Sequence, residues 1–167
     1  MGNIFLIGFM GTGKSTIAKE LNRKYGMTVI DIDEEIVKRE GCAIPEIFAQ
    51  KGEEYFRQVE TAVIKELEAV DNTVVSCGGG AVLRPENVES MKRSGRVVLL
   101  SATPETILKR VKHDHNRPLL EGKKNVEAIA ELIKARADKY NAAADFVVTV
   151  DDKIIEVVAD EVYAVCK

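Results

Sequence analysis

Residues Gly8-Phe9-Met10-Gly11-Thr12-Gly13-Lys14-Ser15 satisfy the pattern G-x-x-x-x-G-K-[ST], and they stand between an apolar run, Asn3–Ile7, and a stretch of helical period, Lys14–Tyr25. A glycine-rich loop joining a short apolar strand to a helix start belongs at the carboxyl edge of a parallel sheet, where ligand crevices form. Its glycines let the chain wrap so that backbone N–H groups and the helix N-terminus converge on a polyphosphate. Lys14 is placed to bridge β- and γ-phosphates. Ser15 is placed to offer a hydroxyl to Mg²⁺, which takes few protein ligands and prefers phosphate oxygens and water. The alternative is an ordinary Gly-rich turn, which would need neither the lysine nor the serine.

The rest of the chain alternates β-rich runs with amphipathic stretches. Strands are expected at Asn3–Ile7, Thr28–Asp31, Thr73–Ser76, 96–100 and 146–150. Helices are expected at Lys14–Tyr25, over one long region 33–70, and at Pro85–Ser94, Pro104–Val111, 125–141 and 154–165. Four of the five β runs are nearly unbroken Val, Ile, Leu or Phe, which reads as strands buried on both faces with helical crossovers. The expected fold is therefore α/β, a three-layer α/β/α sandwich of the P-loop NTPase type with a five-stranded parallel sheet. Pro85 and Pro104 sit at first-turn positions, where a missing N–H costs nothing. At 167 residues, with no Pro/Gly/Ser-rich linker and no repeat, residues 1–167 read as one domain.

Charge and cysteine usage narrow the function classes. Lys and Arg total 24 against 27 Asp and Glu, a balance of −3 with no basic excess for a nucleic-acid backbone or an anionic membrane. No stretch nears the roughly 18 apolar residues that a membrane-spanning helix needs. Cys42, Cys77 and Cys166 are odd in number and far apart, which reads as a reducing cytoplasm rather than a disulfide framework or a zinc site.

Several further positions carry candidate chemistry. Asp31 and Asp33, two apart at the end of the second strand, would project together, one toward Mg²⁺ and one toward an acceptor hydroxyl; alternatively one caps the next helix. Arg57 and Glu60 share a helix face, either holding a guanidinium fork for a ligand carboxylate or forming an exposed surface pair. Gly78, Gly79 and Gly80 follow the third strand, where backbone must approach either a ligand or a strained turn. Cys77 beside them reads as a small buried filler. Segment 112–124 breaks helical period around Arg117-Pro118-Leu119-Leu120 and reads as a mobile lid that brings Arg117 to developing charge. His113 and His115 within it lack any further ligand at metal spacing. Arg136 lies near the inward stripe of its helix, facing an anion or snorkelling to water.

In this order the phosphate loop, Asp31-Ile32-Asp33, Phe48 with Gly52-Glu53 and Phe56-Arg57, the three glycines, Arg117-Pro118-Leu119-Leu120, and Arg136 with Tyr140 together resemble the shikimate kinase family. The resemblance implies an enzyme that moves the γ-phosphoryl of ATP to the 3-hydroxyl of shikimate, cytoplasmic and monomeric, with Mg²⁺ on Ser15 directly and on Asp31 through water. It implies ATP contacts from Gly11, Thr12, Gly13, Lys14, Ser15, Thr16, Arg110 and Arg117, and catalysis by Lys14, Asp33 and Arg117. It also implies that Arg57 and Arg136 clamp the shikimate carboxylate and that Asp33, Gly78, Gly79 and Gly80 line its site. Ile44, Phe48, Phe56, Pro118 and Leu119 would cover the ring. The chain departs from the family pattern at Ala43, Asp138 and Ala142, and at Asp151-Asp152-Lys153, which leads straight into a helix. A gluconate-kinase-type enzyme and a nucleotide-binding regulatory module without transfer are the alternative readings.

Overall fold

The computed structural model describes residues 1–111 and 126–167. Five parallel strands, β1 (Asn3–Ile7), β2 (Thr28–Asp31), β3 (Thr73–Ser76), β4 (Gly95–Ser101) and β5 (Phe146–Thr149), form one sheet in the order β2-β3-β1-β4-β5. The helices between them are α1 (Lys14–Tyr25), α2 (Ile32–Glu40), α3 (Ile44–Glu66), α4 (Pro85–Ser94), α5 (Pro104–Val111), α6 (Val126–Ala143) and α7 (Ile155–Cys166). Among the described residues no helix is long and apolar enough to cross a membrane.

Strand alternation sorts the core into two layers. In β1, Ile4 and Leu6 point to a layer with Leu21, Met27, Val98, Val158 and Val162, while Phe5 and Ile7 point to one with Val63, Ile64, Met91, Val97 and Ile129. Burial on both faces holds for β1 and β3 and for the middle of β4. It does not hold for the edge strands β2 and β5, where Thr28 and Val147 are exposed. Pairing on one side only leaves an edge strand partly open to water.

The helical region expected over 33–70 comes in three pieces. α2 begins one residue earlier, at Ile32, and stops at Gly41, whose N–H closes on the Val37 carbonyl at 2.9 Å. α3 then starts at Ile44 after Ala43, which supplies no side-chain cap, so the usual hydroxyl at that entry is absent. Within α3, Gly52 has φ 85 and ψ 165, a backbone region essentially reserved for glycine, and the helix kinks there. A 3₁₀ turn, Leu67–Ala69, completes the region. β1, α1, β2, β3, α4 and α5 have the expected bounds, and β4, α6, β5 and α7 differ from theirs by one or two residues at an end.

The order places β1 between β3 and β4, so the chain leaves β1 toward one side of the sheet and later crosses to the other. A crevice opens at such a reversal, outside the carboxyl ends of β1 and β3.

Candidate active site

The loop after β1 is wedged rather than draped. A Cβ at Gly8 would lie 2.6 Å from the Leu100 carbonyl of β4, so only glycine fits. Thr12 is buried and its hydroxyl donates to the Phe9 carbonyl at 2.8 Å, bracing the turn from inside. The Lys14 ammonium donates to the carbonyls of Gly8 at 2.7 Å and Phe9 at 3.2 Å. Arg110, from α5, reaches across to donate to the Thr12 carbonyl at 3.0 Å and lies against Gly13, the N-cap glycine of α1.

Ser15 and Asp31 meet at the mouth of this loop. The Ser15 hydroxyl donates to Asp31 Oδ2 at 2.7 Å and lies 3.3 Å from the Ser76 hydroxyl of β3. Asp31 Oδ1 accepts from the Glu34 N–H at 3.1 Å, so this carboxylate caps α2 while also facing Ser15. The capping alternative for Asp31 therefore holds, with its second oxygen left facing Ser15. Asp33 does not share a strand face with it, as the sequence suggested, because β2 ends at Asp31. Asp33 sits in the first turn of α2 and reaches the same cleft from there.

The three glycines work by the space they leave. None has a left-handed backbone, and Gly80 has φ −101 and ψ 6, so the strained-turn reading is set aside. A Cβ at Gly78 would lie 3.1 Å from Asp33 Oδ1 and 3.4 Å from Glu60 Oε2. At Gly79 it would lie 3.0 Å from Arg136 Nη1, and at Gly80 it would meet the Arg57 guanidinium, 2.6 Å from Nη1. The glycines therefore make room for charged groups delivered by other elements: α2 and α3 at Gly78, α6 at Gly79 and α3 at Gly80. Cys77 just before them is buried, and burial pushes its thiol far up, so it fills space and does not attack.

Arg57 and Glu60 are not a surface pair. Arg57 Nη1 donates to Glu60 Oε1 at 3.0 Å, with the arginine side chain 11% exposed and the glutamate 0%. Burial pushes the Glu60 carboxyl up; Arg57 pulls it back down, and Asp33 adds to the rise. Its Oε2 accepts no hydrogen bond among the described residues. The guanidinium also lies over the Phe56 ring, at 5.2 Å, and Phe56 meets Phe48 edge-to-face at 5.0 Å across the Gly52 kink.

Most of these groups border one cleft of about 1060 Å³. Gly11, Thr12, Gly13, Lys14, Ser15, Thr16 and Arg110 line one end; Asp33, Ile44, Phe48, Phe56, Arg57, Arg136 and the three glycines line the other. Arg117, Pro118 and Leu119, with segment 112–124 and its two histidines, lie outside the described residues. Val150, Lys153 and Ile155 also border the cleft; none was taken as a site residue from the sequence, where Lys153 figured only in the departure at Asp151-Asp152-Lys153. Nor was Glu60 taken as a site residue in its own right, although its place four after Phe56 and four before Ile64 on a buried stripe was a usable signal.

Comparison with known proteins gives one answer. The shikimate kinase family model matches residues 10–167. A shikimate kinase from Geobacter sulfurreducens is 45% identical over 160 residues, covering 96% of this chain and 88% of that protein. One from Caldanaerobacter subterraneus is 41% identical, covering 97% and 94%. The solved shikimate kinase from Acinetobacter baumannii in complex with shikimate superposes with a TM-score of 0.91 at 34% identity, covering 99% of this chain and 92% of that one. The Aquifex aeolicus enzyme superposes at 0.82 with 40% identity, covering 97% and 94%.

Proposed function

This chain belongs to the shikimate kinase family, and from that premise we propose that it transfers the γ-phosphoryl of ATP to the 3-hydroxyl of shikimate. The observation that carries the reading is the glycine tray at the end of β3, around which Asp33, Arg57 and Arg136 gather across the cleft from Lys14. One acidic and two guanidinium groups around an uncharged floor suit an acid that also bears hydroxyls.

Each residue then has a task that its chemistry fits. Lys14 supplies positive charge to the β- and γ-phosphates, while Gly11, Thr12, Gly13, Thr16 and Arg110 hold the nucleotide. Asp33 accepts the hydrogen bond of the attacking hydroxyl, orienting it and taking its proton as the bond to the γ-phosphorus forms and the bond from that phosphorus to the bridging oxygen of the departing ADP breaks. Arg57 and Arg136 offer forked donors to the carboxylate, the Gly79 main chain donates beside them, and Gly78 and Gly80 leave room for the ring. Ile44, Phe48 and Phe56 cover its apolar side and exclude water. Arg117, Pro118 and Leu119 are assigned on the family resemblance alone, the first to the phosphates and the others to the ring.

Mg²⁺ fits the same site. The Ser15 hydroxyl and Asp31 carboxylate offer adjacent oxygens beside the phosphate loop, and among the described residues no cluster of three acidic, Cys or His ligands could hold an ion by protein alone. That is the donor set of an ion carried in with phosphates. Bound there, Mg²⁺ would neutralise charge on the β- and γ-oxygens.

The same reading makes the protein a monomer of the cytoplasm, and a sedimentation mass of one chain is the expected result. The deciding assay is coupled ADP release with shikimate, with gluconate and with no acceptor. Release that depends on shikimate supports the proposal; release favoured by gluconate, or independent of acceptor, overturns it.

A further inference from the structure

We propose that Tyr140 is a positioning residue for Arg136: its neutral hydroxyl ties the guanidinium to the Gly79 main chain and leaves the arginine's full charge for the substrate carboxylate. This deepens the function proposed above and rests on it. The two arginines of the clamp are held differently. Arg57 is anchored by carboxylates, Glu60 at 3.0 Å and Glu53 at 3.4 Å, so part of its charge is already balanced. Arg136 has no carboxylate partner among the described residues.

Its anchor is instead one helical turn further along α6. Tyr140 is only 4% exposed, and its hydroxyl donates to the Gly79 carbonyl at 2.8 Å. A phenol that donates one hydrogen bond keeps lone pairs to accept another, and the Arg136 guanidinium stands beside it at Gly79 as the available donor. Burial raises the phenol's pKa and Arg136 only partly offsets this, so the hydroxyl stays neutral at pH 7. Gly79 is common to both contacts, since a Cβ there would lie 3.0 Å from Arg136 Nη1 and 3.5 Å from the Tyr140 oxygen. A carboxylate in the phenol's place would hold the guanidinium as firmly and compete with the ligand for its charge. The phenol fixes direction without competing.

The test compares shikimate with its neutral methyl ester in Tyr140→Phe, which keeps the ring's packing. The expected result is a KM for shikimate raised about 5- to 20-fold, the loss of one positioning hydrogen bond, with kcat, the KM for ATP and the KM for the ester changed less than about twofold. In an Arg136→Ala background, Tyr140→Phe should add nothing further. Gly79→Ala, which leaves the phenol intact and crowds the guanidinium, should show the same preference for damaging use of the acid. Equal losses for acid and ester in both variants, or an undiminished effect of Tyr140→Phe without Arg136, overturn the proposal. Failure of the substrate reading would look different: Arg136→Lys would then leave the preference for acid over ester unchanged.

Discussion

Neutralising Glu60 should change how stability responds to pH. Its carboxyl is raised above the ordinary 4.5 chiefly by burial. The stability it contributes is therefore fully present below the unfolded value and is lost as pH rises through the raised folded value, because the native state holds the proton more tightly. Glu60→Gln removes that loss. The melting temperature of the variant relative to the parent should rise between pH 4.5 and pH 8; a constant or falling difference would show that the Arg57 pairing outweighs the burial. Lys14 lies elsewhere in the balance, since its ammonium contacts loop carbonyls at the surface of the cleft and not the core. Lys14→Ala should abolish measurable transfer while preserving a cooperative melt, and loss of that melt would assign the lysine to the fold instead. Asp33→Asn should keep an oxygen in place but lose the proton acceptor, lowering kcat by about 10²–10⁴. A change in KM alone would make Asp33 a binding group.

At the scale of elements, the site depends on how the end of β3 receives three helices. The glycine run has ordinary backbone angles at Gly80, so alanine there is conformationally allowed and the consequence must be steric. The added methyl would meet the Arg57 guanidinium, the far end of a flexible side chain, and push it from the position in which Glu60 holds it. Gly80→Ala should therefore melt close to the parent yet raise the KM for shikimate about tenfold or more. An unaltered KM would mean that Arg57 moves aside freely and does not need its observed position. The Gly52 kink acts in the same direction: it lets α3 present Phe48 and Phe56 to each other and Arg57 to the glycines, which one straight helix over 33–70 could not do.

For the whole molecule, β1 contributes alternate residues to both core layers, so neither layer can be lost while the other persists. Thermal unfolding should be one transition, the same by far-ultraviolet and tyrosine near-ultraviolet signals, and two separate midpoints would contradict a single unit. Much of this architecture was legible in the chain. Runs of Val, Ile and Leu alternating with helical stripes specified five parallel strands and their crossovers, and the loop from Gly8 to Ser15 located the phosphate end, because these are local matters of period and backbone freedom. What the chain could not disclose were relations between elements distant in sequence. That β3 lies beside β1, that Asp33 reaches the cleft from a helix and not a strand, that Glu60 is sealed against Gly78, and that Tyr140 spans from α6 to Gly79 all follow from sheet order and helix packing. Periodicity reports which face of its own element a side chain occupies. Which partner it meets there is decided only when the layers close, since burial and contact are properties of the packed whole.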